Sequence, residues 1–173
     1  TSIIKVAQKN ESIYGKILFF NLSDKSYQIV SKGHRNPQGL TVIDDKILST
    51  EHGPKGGDEI NLIKIGSNYG WPVASYGEPY KYSVGSEYKF KKNHYKNNFE
   101  EPIFSFVPSI GISQLIHIPD NFSNLWSENF FISSLNARSL FRVKFDKNFT
   151  KLIFKEKIII GERIRDITYF EKF

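Results

Sequence analysis

The segment Gly33-His-Arg-Asn-Pro-Gln-Gly39 joins two strand-like runs and carries more polar chemistry than a turn requires. Gly and Pro bend the chain, whereas His34, Arg35, Asn36 and Gln38 add a planar cationic fork and amides that both donate and accept. Two readings fit it: a polar connection between elements, or a platform for an anionic, carbonyl-rich ligand. A second segment, Thr50-Glu-His-Gly-Pro-Lys-Gly-Gly-Asp-Glu-Ile-Asn-Leu62, continues to Asn68-Tyr-Gly-Trp-Pro72. Its Gly and Pro residues let backbone carbonyls turn inward, with Asp58, Glu59 and Glu78 close by. Hard cations such as Ca²⁺ take about six to eight oxygens from carbonyls and carboxylates. The spacing is not that of an EF-hand, so the segment is either a calcium site or a solvated acidic turn. The third segment is Gly161-Glu-Arg-Ile-Arg-Asp166. In a strand, Arg163 and Arg165 share a face. Two neighbouring guanidiniums either take an anion between them or face solvent, screened by Glu162 and Asp166.

Other chemistries are excluded. No Gly-x-x-x-x-Gly-Lys-Ser/Thr is present, so the glycines at 53–57 are not a nucleotide P-loop. Neither a Gly-x-Ser-x-Gly elbow nor a His-Glu-x-x-His pair occurs. The four His residues are scattered, and the absence of Cys removes disulfides and thiolate metal sites. Of the 24 cationic residues only five are Arg, and the many Lys form no stripe on one element, so nucleic acid is not an expected partner. The basic, aromatic stretch 88–98 reads as a solvated insertion rather than a binding loop. The sequons beginning at Asn10, Asn21, Asn121 and Asn148 carry little weight in so Asn-rich a chain.

These segments must be positioned by β-structure. Apolar or alternating runs rich in Ile, Val, Phe, Tyr and Thr predict strands at 3–7, 16–22, 27–31, 40–43, 46–50, 59–64, 103–107, 114–118, 129–133, 139–145, 152–160 and 164–170. No helical period is sustained. The irregular stretch 66–101 is long enough to mark a functional region. Gly15-Lys-Ile-Leu-Phe-Phe-Asn-Leu22 resembles Ser139-Leu-Phe-Arg-Val-Lys-Phe-Asp146, a weak repeat of the kind propeller blades show. The length of 173 residues, 39% hydrophobic with 15 Phe and 9 Tyr, suffices for a packed core and excludes disorder. No run approaches the ~20 apolar residues of a membrane-spanning helix. The opening Thr-Ser-Ile-Ile, the lack of Met and the lack of a signal peptide are expected of a mature product or an excised piece.

Taken in order, the stretches 33–40, 49–63, 68–72, 107–110 and 162–166 resemble the soluble PQQ-dependent sugar dehydrogenases, the glucose/sorbosone and aldose sugar dehydrogenase family. Likeness runs from about Gly15 to Tyr169, and the block 50–72 is its most specific part. The resemblance implies an all-β fold, part of a six-bladed β-propeller with pyrroloquinoline quinone (PQQ) in a cleft at its top. It implies that Arg35, Asn36 and Gln38 line the quinone and that Arg163 and Arg165 meet its carboxylates and oxygens. The carbonyls of Gly53 and Pro54 would hold the Ca²⁺ that bridges protein to cofactor, and Glu59, Tyr69, Ala74, Tyr76 and Glu78 would form a second, structural calcium site. Asn136 stands where glucose-oxidising members carry a Lys against the cofactor, and Phe106 where they carry a Trp. These two changes leave open a different sugar range, weaker cofactor binding or a member without PQQ. The family's catalytic His is expected upstream of residue 1. The implied protein is a bacterial periplasmic or secreted oxidoreductase acting on an aldose sugar, with an external electron acceptor and a possible homodimeric parent. A non-catalytic sugar- or protein-binding propeller is the alternative. A six-bladed ring has about 24 strands at four per blade, so twelve predict roughly three blades. The N-terminal blades and the end of the last blade are expected to be missing, leaving the fragment alone inactive.

Overall fold

Period-two alternation decides most of the architecture. In the computed structural model, which describes residues 3–80 and 89–170, Ser139–Phe145 alternates buried and half-buried positions without a break. Ten strands form: β1 (Lys16–Phe20), β2 (Tyr27–Lys32), β3 (Pro37–Ile43), β4 (Lys46–Glu51), β5 (Asp58–Ile63), β6 (Phe104–Phe106), β7 (Ile112–His117), β8 (Asn129–Ser134), β9 (Ser139–Phe145) and β10 (Leu152–Ile159). All pairings between these strands are antiparallel. Strands β3-β4-β5-β6 and β7-β8-β9-β10 make two four-stranded meanders, and β1-β2 a two-stranded sheet.

The two expected end strands are corrected. Ile3–Gln8 is a 3-10 helix, because an apolar run suits a short buried helix as well as a strand. Residues 164–170 form no strand. Their backbone is tied to the ends of two other strands rather than paired along one. The basic stretch 88–98 begins outside the described residues, at Tyr88.

The core lies between the two meanders. Leu48, Ile60 and Phe106 from the first pack against Ile112, Leu115, Phe130, Ile132, Phe141 and Val143 from the second. Along β7 the sheets meet through hydroxyls of β3 and β4: Thr41 donates to the Leu115 carbonyl, and Thr50 to that of Ser113 at 2.5 Å. Gly39 sits at this approach, where a Cβ would fall 2.8 Å from Leu115 N. Strand β10 forms an edge, largely exposed, with Lys155, Glu156 and Lys157 along it. Charge of this kind discourages edge-to-edge association.

Candidate functional site

The connection from β2 to β3 carries the first polar segment. Gly33 has φ +77°, and a Cβ there would fall 2.2 Å from Asn68 Oδ1, so no other residue fits. His34 turns inward and is buried. Its Nδ1 lies 2.8 Å from Glu51 Oε2, its Nε2 2.8 Å from Ser31 Oγ, and its ring stacks on Tyr69 with centroids 4.6 Å apart. The other Glu51 oxygen accepts the Arg35 backbone N–H at 3.1 Å. Arg35 is thereby pinned at its backbone, while its side chain lies over the Trp71 ring at 5.4 Å and donates to the His52 carbonyl at 3.0 Å.

Beside it, Gln38 joins the first polar segment to the third. Its Nε2 donates to Asn36 Oδ1 at 3.1 Å, and its Oε1 accepts from Arg165 Nη1 at 3.3 Å. Residues 162–167 reach this position because Ile164 N–H donates to the Ser134 carbonyl at 3.1 Å and Ser113 Oγ donates to the Arg165 carbonyl. Arg163 is exposed on the same segment. Asn136, in the β8–β9 connection, is exposed and donates to the Ser109 carbonyl at 3.3 Å. Among the described residues, Arg35, Arg163 and Arg165 have no carboxylate within ion-pair distance; the one paired Arg is Arg142, with Glu156.

The Gly53–Pro54 turn is held by Asp58. This buried carboxylate accepts from Gly53 N–H at 3.1 Å, Ser109 Oγ at 2.8 Å and, across the sheet gap, Ile112 N–H at 3.0 Å. A Cβ on Gly53 would fall 2.2 Å from the carbonyl oxygens of Gly56 and Gly57, so a side chain is excluded there. Alongside lies a cavity of about 10 Å³ among Arg35, Glu51, His52, Gly53, Pro54 and Glu59. That is room for one water-sized occupant. The buried His52 Nε2 has no partner among the described residues. Hard carbonyl oxygens on a glycine turn that no side chain can fill suit a bridging calcium ion. Unpaired guanidiniums likewise suit a polycarboxylate such as PQQ.

The second proposed calcium set fits less well. Glu59 is buried, and burial together with the nearby Glu51 carboxylate pushes its pKa well above the usual range. Its Oε1 lies 3.8 Å from His94 Nε2, and His94 Nδ1 lies 3.8 Å from Glu101 Oε2. Burial pushes the His94 pKa down. The Tyr69 hydroxyl bonds locally, donating to the Leu62 carbonyl. Ala74 is buried and bridges to Lys91. Tyr76 donates its hydroxyl to Glu101 at 2.7 Å, whereas Glu78 is exposed and paired with Lys92. No three His, Asp or Glu side chains converge on a metal position among the described residues.

Phe106 departs from the expectation for it. The ring is 4% exposed and lies edge-on to Phe104 and Phe141 in the inter-sheet core. With period two, β6 directs Phe104 and Phe106 to one face, toward the next sheet. Four participants escaped the sequence reading: Glu51, Lys92, His94 and Glu101. Glu51 had a usable signal, since the β3–β4 hairpin register sets it opposite Pro37, beside Arg35. The others act across a stretch without periodicity.

A sequence model of the family described as Glucose / Sorbosone dehydrogenase matches residues 2–171. The chain belongs to that family. Within the glucose/sorbosone dehydrogenases, it is 31% identical over 153 residues to aldose sugar dehydrogenase YliI of Escherichia coli, covering 86% of this chain and 40% of that protein. It is 53% identical over 60 residues to quinoprotein glucose dehydrogenase B of Acinetobacter calcoaceticus, 34% of this chain and 13% of that one. The solved apo-form of the soluble aldose sugar dehydrogenase from E. coli superposes with a TM-score of 0.79 at 28% identity, covering 95% of this chain and 51% of that one. This glucose/sorbosone dehydrogenase chain therefore spans about half the length of such relatives, and its two meanders are blades of part of a six-bladed β-propeller.

Proposed function

We propose that the chain is part of a quinoprotein dehydrogenase that oxidises the anomeric carbon of an aldose. The observation that supports this reading is that, among the described residues, three guanidiniums, Arg35, Arg163 and Arg165, lie without carboxylate partners, with Arg165 reaching Gln38 three residues from Arg35. When bound, PQQ supplies a quinone that accepts hydride from the sugar, with Ca²⁺ as Lewis acid on the quinone carbonyl. Arg35 is preorganised to meet a carboxylate because His34 and Glu51 hold its backbone and Trp71 supports its side chain. Arg165, oriented by Gln38, would supply a second guanidinium to the ligand, and Arg163 would add charge. Asn36 and Asn136 contribute neutral amides, so the pocket relies on Arg for its positive charge. The carbonyls of Gly53 and Pro54 would hold the calcium ion. The general base that takes the sugar hydroxyl proton belongs to the family's upstream His, outside this sequence. The parent protein is proposed to act in the bacterial periplasm or outside the cell, to pass electrons to an external acceptor and to assemble as a homodimer.

The test uses the full-length protein, titrated with PQQ in the presence of Ca²⁺ and assayed for sugar-dependent dye reduction. Arg35→Ala and Arg165→Ala are each expected to weaken PQQ binding about 10- to 100-fold, the scale of one charged hydrogen bond. Absence of cofactor uptake, or sugar binding indifferent to PQQ and to Arg35→Ala, overturns the proposal in favour of a non-catalytic propeller.

A further inference from the structure

Two of the oxygens expected for a second calcium ion, on Tyr76 and Glu78, are already engaged by a cation of the chain itself. Lys92 Nζ lies 2.7 Å from Glu78 Oε1, 2.5 Å from the Gly77 carbonyl and 3.3 Å from the Tyr76 carbonyl. An ammonium carries three N–H donors, and these three oxygens satisfy them. The backbone delivers Lys92 to this point. Lys91 N–H donates to the Val73 carbonyl and Ser75 N–H to the Lys91 carbonyl, both at 3.1 Å, so Ala74 lies in a bridge with the residue before Lys92. Two positions further on, His94 is 1% exposed and lies between the carboxylates of Glu59 and Glu101. One basic segment thus divides the acidic set, Lys92 taking Glu78 and His94 facing Glu59.

We infer that Lys92 has taken over the second calcium position, so that the chain supplies its own cation there and Tyr76 and Glu78 bind no calcium. A calcium ion needs about six to eight oxygens at roughly 2.3–2.6 Å. An ammonium nitrogen at hydrogen-bond distance from the same oxygens excludes it by both space and charge. Lys92 and Glu78 are half-exposed and exposed, so their pair contributes little to stability. Its role is to occupy donors that would otherwise attract a divalent ion. The inference uses the family reading to identify the donors but requires no quinone.

The experiment is calcium titration calorimetry on the full-length, cofactor-free, chelator-treated protein, paired with melting curves with and without Ca²⁺. Unmodified protein and Glu78→Gln are expected to give the same isotherm, since any binding by the Gly53–Pro54 carbonyls is common to both. Lys92→Ala is expected to gain one calcium equivalent, with a dissociation constant of about 10⁻⁴–10⁻³ M and a calcium-dependent rise in Tm. Both gains should vanish in Lys92→Ala/Glu78→Gln. A calcium equivalent in the unmodified protein that Glu78→Gln abolishes overturns the inference, as does a folded Lys92→Ala that gains none. If Lys92→Ala does not fold, the comparison of unmodified protein with Glu78→Gln still decides. Failure of PQQ to bind leaves every arm interpretable, so the two proposals fail separately.

Discussion

Glu59 holds its carboxyl buried, near a second carboxylate at Glu51, and both facts favour the protonated form. A carboxyl whose pKa is raised by folding contributes stability at pH below its unfolded value, near 4.3. That contribution is lost as pH rises through the folded value. Glu59→Gln keeps the shape and removes the titration. It is therefore expected to stabilise the protein at pH 8 and to change little at pH 4. Denaturant melts at both pH values measure this; equal effects at the two would count against it. The residue types of the site were legible in the sequence, because Arg35, Asn36, Gln38, Arg163 and Arg165 exceed the needs of a turn. Their supports were not. The His34–Glu51 contact follows from strand register, and the His94–Glu59 contact from the path of an aperiodic segment.

Among the elements, the Gly53–Pro54 turn has the least room for change. Gly53→Ala drives a methyl against the carbonyls of Gly56 and Gly57, forcing the turn open where it is proposed to hold calcium. The expected result is loss of calcium-dependent PQQ binding by about tenfold or more, a loss of about 1.4 kcal/mol, while circular dichroism still reports the strands. Retained affinity would remove this turn from the calcium site. Most strands were readable because burial on one or both faces leaves a period or a bounded apolar run, as in β9 and β8. Two segments misled. Residues 3–7 satisfy a strand pattern yet coil into a 3-10 helix, whose Ala7 carbonyl accepts the Gly33 N–H. Residues 164–170 alternate like a strand yet spend their hydrogen bonds on Ser134 and Ser113. A pattern of side chains does not reveal where backbone partners are found.

At the scale of the whole molecule, stability is concentrated between the two four-stranded blades. Ile132 is fully buried there, whereas Ile159 on the outer strand is 79% exposed. Ile132→Ala is expected to cost about 2–5 kcal/mol and Ile159→Ala less than about 0.5 kcal/mol, read from denaturant midpoints. Similar losses at both sites would mean that the outer strand is covered in the intact protein, as a neighbouring blade would do. The contact between Gln38 and Arg165 spans 127 positions of sequence. A contact between such distant points raises the contact order, which slows folding. A charged ligand seated there would act as a clasp between β3 and the final segment, so its capture would serve as a checkpoint that everything between has reached its place.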